Sequence, residues 1–282
     1  MFGEPASAFQ QPPAGDPAGI SARQGESPYY LRDRGTGIPV SMFGTFVRRG
    51  ELLFYPYFEY YHDKSAEYAP DEFGYADEND YFGNFIAREW LFWIGYGITD
   101  QLSVEFETAY HINATLDSDP DDPSDMPQKI HESGLGDVEG QIRWRWTTED
   151  EKRPEIFSYY ETVFPFQKDK QIIGTSVWEL KLGTGLVKGF RWGTVAARAA
   201  VEYADEGLEL GEVAVEYLKR ISSGLRLFAA VEGTQDEWEL ITEAQWHIKS
   251  NLFIKFNNAF GLTRKATDWA PEIGVMFSIP PR

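Results

Sequence analysis

Residues 133–146 read SGLGDVEGQIRWRW. Past the glycines the stretch alternates with a period of two. Val138, Gly140, Ile142, Trp144 and Trp146 share one phase, and Asp137, Glu139, Gln141, Arg143 and Arg145 share the other. A β-strand sends successive side chains to opposite faces, so this is a strand with one apolar and one charged face. In a soluble sandwich the apolar face packs inward. In a membrane barrel it faces lipid and the charged face lines the lumen. The rest of the chain has to choose between them.

Composition removes some classes. The chain has 282 residues and a formal net charge of -19. That argues against a nucleic-acid partner, which needs clustered Lys and Arg. Cysteine is absent, which excludes a disulfide framework and thiolate metal sites. No run of about 18 apolar residues exists, so no helix spans a bilayer, a fact silent about barrels. The mean hydropathy of -0.42 suits a soluble domain and a barrel equally. The aromatic share of 16%, with nine Trp, fits a membrane interface, although a packed β core also favours aromatics. MFGEPASAFQ has no basic start and no apolar core, so an exported protein is expected to be seen here as its mature chain behind a starting Met.

Residues 1–40 carry Pro, Gly, Ser and Ala without period and read as a flexible or irregular N-terminal segment. Residues 41–282 read as the barrel. Twelve strand-like segments follow, at about 51–61, 86–97, 102–112, 136–147, 155–165, 176–188, 193–204, 208–219, 224–234, 237–248, 251–262 and 270–279. Strands of soluble domains usually run about five or six residues, whereas tilted strands of about ten to twelve cross a bilayer. ITDQ, GFRW, RISS and KSN are short connections. HDKSAEYAPDEFGYADENDYFGN and ATLDSDPDDPSDMPQKIHESG are long and acidic. Tight turns at one end and long loops at the other mark outer-membrane barrels. The expected fold is therefore all-β: a single antiparallel up-and-down transmembrane β-barrel of about twelve strands, integral to the outer membrane. An even strand count puts both termini on the periplasmic, short-turn side. A soluble acidic β-domain is the competing fold.

On that fold, Trp178, Tyr203 and Trp238 form one interfacial belt, and Trp144, Trp146, Tyr217 and Trp246 the other. The opposite phase lines the lumen. It holds Glu105, Glu107, Glu139, Arg143, Arg145, Glu161, Lys181, Arg198, Glu202, Glu216, Arg226, Glu232, Glu239, Glu243, Lys255 and Glu272, with Glu59, Glu89, Asp137, Glu179 and Glu212 beside them. Arg143 and Arg145 are expected to pair with Glu105, Glu107 or Glu161. A ring of charge filters ions, and the acidic excess favours cations. The same groups, paired across the lumen, would close it.

Other sites are weaker. DSDPDDPSD (117–125) lacks the glycine and twelfth-position Glu of the helix-loop-helix calcium motif and reads as a solvated loop. Asn113-Ala114-Thr115 matches a glycosylation sequon, a triplet common by chance. His111 and His247 fall on the inward phase without a Ser at a recognisable spacing, so no catalytic group is expected. No cofactor and no metal are expected.

Several segments together resemble a family of bacterial outer-membrane barrels associated with meta-pathway phenol degradation and toluene-type transport. YGITDQLSVEFE (96–107) is similar to its "YGLTDRLEL" turn and strand. SGLGDVEGQIRWRW is similar to its "SGLGDv" strand, and VFPFQKDKQIIGTSVWELKLGTGLVKGF (163–190) resembles its Pro-Thr-Gly hairpin, with Pro165-Phe166-Gln167 at that position. PEIGVMFSI (271–279) resembles its last strand, although this chain ends IPPR rather than on an aromatic. The resemblance covers about residues 45–280. It implies a barrel of about twelve strands and passive uptake of small, often hydrophobic solutes. The expected partners are membrane lipid and a small-molecule solute. The alternative is a closed structural barrel, sealed by its charges or by residues 1–40, that holds an envelope protein partner.

Overall fold

The computed structural model describes residues 27–204, 207–235 and 237–280. After a 3-10 turn at Tyr29–Leu31 come two short strands, β1 (Ile38–Pro39) and β2 (Phe46–Val47), paired with each other. The wall then begins with β3 (Leu52–Tyr68), β4 (Tyr81–Gly97), β5 (Leu102–Asp117), β6 (Lys129–Gly134), β7 (Val138–Thr147) and β8 (Glu155–Phe164). It continues with β9 (Glu179–Phe190), β10 (Gly193–Ala204), β11 (Gly207–Arg220), β12 (Leu225–Thr234), β13 (Glu237–Lys249), β14 (Leu252–Gly261) and β15 (Trp269–Ile279).

Each wall strand pairs antiparallel with its sequence neighbours, and β3 closes the ring by pairing with both β4 and β15. The strands β6 and β7 pair with successive stretches of β5 and form one broken stave. The wall is thus a closed barrel of twelve antiparallel staves. Closure satisfies every strand edge, which a lipid surround requires.

One phase of each strand is buried and the other exposed, as period two demands. On β7, Gln141, Arg143 and Arg145 are buried while Ile142, Trp144 and Trp146 are exposed. The charged face of SGLGDVEGQIRWRW therefore turns inward.

The strands β3, β4 and β5 are 17, 17 and 16 residues long and reach well into the acidic segments expected to be loops. Pairing Tyr68↔Tyr81 and Asp117↔Lys129 extends this side of the wall beyond its neighbours. A strand standing clear of the bilayer needs no apolar outer face. The ladder continues there while the alternation that reveals it disappears.

A β-bulge corrects one phase assignment. Leu91 pairs with Ala109 and Trp90 with His111, which leaves Tyr110 as the extra residue. The inward phase passes from Ala109 to Ile112, both buried, and His111 is exposed on the outer face with Trp90. An inserted residue shifts every following side chain to the other face.

The last finding concerns the N-terminal segment. Residues 1–26 lie outside the described residues. Residues 27–50 run inside the barrel, and the β1–β2 hairpin crosses the division expected at residue 40, between the irregular segment and the barrel. Ile38, Val40, Met42 and Val47 are buried in one cluster with Leu53, Tyr55, Trp93, Phe253 and Met276 of the inner wall. Phe43 and Phe46 pack on a second cluster of Leu218, Phe228 and Ile241. An inner wall this apolar would be poorly suited to water, and the hairpin covers it.

Candidate functional site

The lumen contains a plug, and its anchoring follows from the chemistry of a polar wall. The segment enters at the short-turn end. There Arg32 Nη2 donates to the Arg191 carbonyl at 2.6 Å, and the Arg220 amide donates to Asp33 at 3.0 Å. Arg34 lies fully buried, with Nη2 2.9 Å from both Glu149 and Glu155. Those carboxylates are shared with Lys188 at 3.1 Å and Arg145 at 3.1 Å. Buried charges persist only when paired and hydrogen-bonded. Every charge of this network has an ion-pair partner, while Arg34 Nε, Arg145 Nε and Glu155 Oε1 make no hydrogen bond among the described residues.

The hairpin climbs to mid-barrel. The Ser41 amide donates to Glu105 at 2.7 Å, its hydroxyl donates to the same carboxylate, and Trp93 Nε1 donates to Ser41 Oγ at 3.1 Å. At the tip, Lys255 Nζ donates to the Phe43 carbonyl at 3.1 Å and pairs with Glu243 at 3.0 Å. Gln245 Nε2 donates to the Phe43 and Gly44 carbonyls at 3.3 Å each. Gly44 has φ +57, and a Cβ there would meet Gln245 Nε2 at 2.8 Å. Glycine is needed both for the left-handed turn and for the close approach. The chain then descends to Glu51, held by Arg48 at 2.9 Å, and enters β3.

The hairpin divides the lumen into two chambers. Ser41, Met42 and Phe43 floor a cavity of 420 Å³ toward the long-loop end. Gly44, Thr45 and Phe46 roof a cavity of 580 Å³ at the short-turn end.

The charge of the two chambers is opposite. The long-loop chamber is walled by Glu59, Glu107, Glu139, Glu161, Glu212, Glu232, Glu239 and Glu272, with Lys181 and Arg198 as its basic residues. Lys181 pairs with Glu161 at 2.7 Å. Arg198 takes Glu212, Glu216 and Glu232 together. Glu107 and Glu272 accept hydroxyl hydrogen bonds from Tyr57 and Tyr55. Those tyrosine rings stack 4.8 Å apart over Gly274, where a Cβ would clash with both. Glu59, Glu107, Glu139, Glu239 and Glu272 form no ion pair among the described residues. The short-turn chamber carries Arg34, Arg48, Arg220, Arg226 and Lys249 against Glu51.

The expected lumen-facing residues therefore do different things. Glu105, Arg145 and Lys255 hold the hairpin by direct contact, and Glu243 does so through Lys255 and Gln245. Arg143 supports it from behind. It is sandwiched over the Phe157 and Tyr159 rings at 5.0 Å each, donates to Gln141 and lies 3.6 Å from Glu105. Glu107, Glu139, Glu161, Lys181, Arg198, Glu232, Glu239 and Glu272 wall the long-loop chamber. Arg226 faces the short-turn chamber, Glu216 pairs with Arg198, and Glu202 lines a separate recess near the β10–β11 end. Of the expected pairings, Arg143 with Glu105 forms, whereas Arg145 goes to Glu155.

Arg34, Ser41, Glu149 and Glu155 were not singled out in the sequence. The only signal was the short alternation Ile38, Val40, Met42, too brief to stand out. Asp137 anchors a loop: the Phe166, Gln167 and Thr175 amides donate to it, and nearby Ile173 is buried against Ala109 and Ile112.

Outside, Trp144, Trp146, Trp178, Tyr203 and Trp246 are exposed, and Tyr217 and Trp238 half-buried. All lie near strand ends. Tyr217 stacks on Trp192 at 5.8 Å, and Trp178 meets Phe164 edge-on at 4.9 Å.

No protein-family model matches the chain, and no curated protein matches it in sequence. Among solved structures, the COG4313 outer membrane channel from Pseudomonas putida F1 is similar with a TM-score of 0.62 at 12% identity, over 86% of this chain and 99% of that one. The KdgM porin in complex with disordered oligogalacturonate aligns with a TM-score of 0.49 at 7% identity, over 82% and 99%. The toluene transporter TbuX of Ralstonia pickettii aligns with a TM-score of 0.44 at 10% identity, over 83% and 90%. At such identities the first likeness speaks for the fold, an outer-membrane β-barrel, and the other two add nothing to it.

Proposed function

We propose that this chain is an outer-membrane channel for the passive uptake of small solutes, closed at rest by its own N-terminal hairpin. One observation carries the reading: two chambers of 420 and 580 Å³ share one barrel, and the Ser41–Phe46 tip lies between them. A barrel built only for rigidity has no use for a large polar cavity on each side of a single hairpin. The long loops face outside and both termini lie in the periplasm. The long-loop chamber, with carboxylates in excess, is the entrance and favours cations over anions. Solutes small enough for a 420 Å³ chamber pass, and the aromatic lining of Phe43, Tyr57 and Tyr61 suits those with an apolar or aromatic body.

Purified full-length protein in a planar bilayer should show small conductance steps. In liposomes it should speed the entry of small aromatic solutes. A silent and impermeable barrel would overturn the reading. That outcome would favour the closed barrel that holds an envelope partner, a reading supported by the depth at which Arg34 is buried and paired.

A further inference from the structure

The short-turn chamber contains an electrostatic conflict. Arg220 and Arg226 are direct cross-strand partners on β11 and β12, both on the inward phase. Like charges placed directly opposite each other are destabilising. Lys249 lines the same cavity. Two neighbouring cations are already paired. Arg34 belongs to Glu149 and Glu155, and Arg48 to Glu51. Asp33 accepts the backbone amide of Arg220 through Oδ1, which sits 3.7 Å from Arg32, and its Oδ2 has no hydrogen-bond partner among the described residues. Arg220 spends its Nε–H on the Ser222 carbonyl at 3.1 Å. Neither the Arg220 nor the Arg226 guanidinium group forms an ion pair with any described carboxylate.

Part of the wall beside them is apolar, although Glu51 and several Ser and Thr line the same cavity. Phe46 of the hairpin and Leu53 and Phe253 of the barrel line the cavity, and the His247 ring stacks on Phe253 at 4.6 Å. A cavity that sets an apolar patch beside convergent donors suits a small amphiphilic anion, and guanidinium groups match carboxylates in shape and charge. We propose that the short-turn chamber binds a small organic carboxylate, its anionic end between Arg220 and Arg226 and its apolar body against Phe46 and Phe253. Such a ligand would contact the hairpin directly.

The test is titration calorimetry on the full chain in detergent, with benzoate as probe and inorganic phosphate and benzylamine as comparators. Benzoate should bind, and the two comparators should bind about tenfold more weakly, because phosphate lacks the apolar body and benzylamine carries the opposite charge. Arg226→Gln and Arg220→Gln should each weaken benzoate about tenfold, and Arg226→Lys less. Arg226→Gln should also raise the temperature at which the barrel loses its gel shift, since it removes a repulsion. A purely structural arginine would lower it. If Arg226→Gln fails to fold, Arg220→Gln carries the test alone. Benzoate binding that is absent, that equals benzylamine or phosphate, or that survives both substitutions overturns the proposal. No membrane is involved, so this result is separate from whether the barrel conducts.

Discussion

The two chambers differ more than two halves of one barrel need to. At the long-loop end, Glu59, Glu139 and Glu239 face a cavity without cations of their own, while one arginine, Arg198, serves three carboxylates. At the short-turn end, Arg220 and Arg226 are cross-strand partners and neither forms an ion pair among the described residues. Between the two lies an apolar zone of Tyr55, Trp93, Leu218 and Phe228, and the hairpin occupies it. The same strands build all three zones. On β12 the inward residues run Arg226, Phe228, Ala230, Glu232 from the short-turn end upward, and on β11 the order Glu212, Ala214, Glu216, Leu218, Arg220 runs the other way along an antiparallel neighbour. Charge in this lumen is sorted by height. A permeating ion would meet an attractive field for cations at one end and for anions at the other.

The largest effect is expected from merging the chambers. Ile38 and Val47 are cross-strand partners, so excising Pro39–Phe46 joins neighbours without stretching the chain. Single-channel conductance should rise about tenfold, as the constriction is lost. An unchanged conductance would mean that the hairpin does not divide the path. Next comes the latch. Arg34→Ala strands buried Glu149 and Glu155, each with a single remaining cation, and should cost about 3 kcal/mol in urea unfolding followed by gel shift. Cost without any gain in open events would uncouple anchoring from gating.

Arg198→Gln sharpens the contrast by freeing Glu212, Glu216 and Glu232. The reversal potential in a KCl gradient should move toward the cation limit, with the permeability ratio rising about threefold. Glu59→Gln with Glu239→Gln blunts the contrast, and the same ratio should fall about twofold. The smallest effect is expected outside the lumen. Trp146 is 64% exposed on the outer face, and Trp146→Ala should cost about 1 kcal/mol in unfolding and leave ion preference unchanged. A shift in preference from that change would place the selectivity outside the chambers.

Period two and strand length made the barrel legible, because the lipid-facing phase must be apolar and each crossing must be long. The same rule located Arg143 inside and Trp144 and Trp146 outside. It failed at His111, where one bulged residue reverses the phase, and above residue 61, where a strand clear of the bilayer keeps its ladder without the pattern. It also missed the plug. Ile38–Val47 is held by partners at 52 to 212 positions' distance, such as Trp93 and Lys255, and no local pattern records them.

By itself, then, the sequence determined which side chains face in and which face out, since alternation is a local property of an extended chain. Tertiary structure alone decided at what height each charge sits and what it meets there. Register, tilt and the return of the N-terminal segment into the lumen bring distant residues together. Those contacts turn an acidic chain into a barrel with an acidic chamber, a waist occupied by the hairpin and a basic chamber.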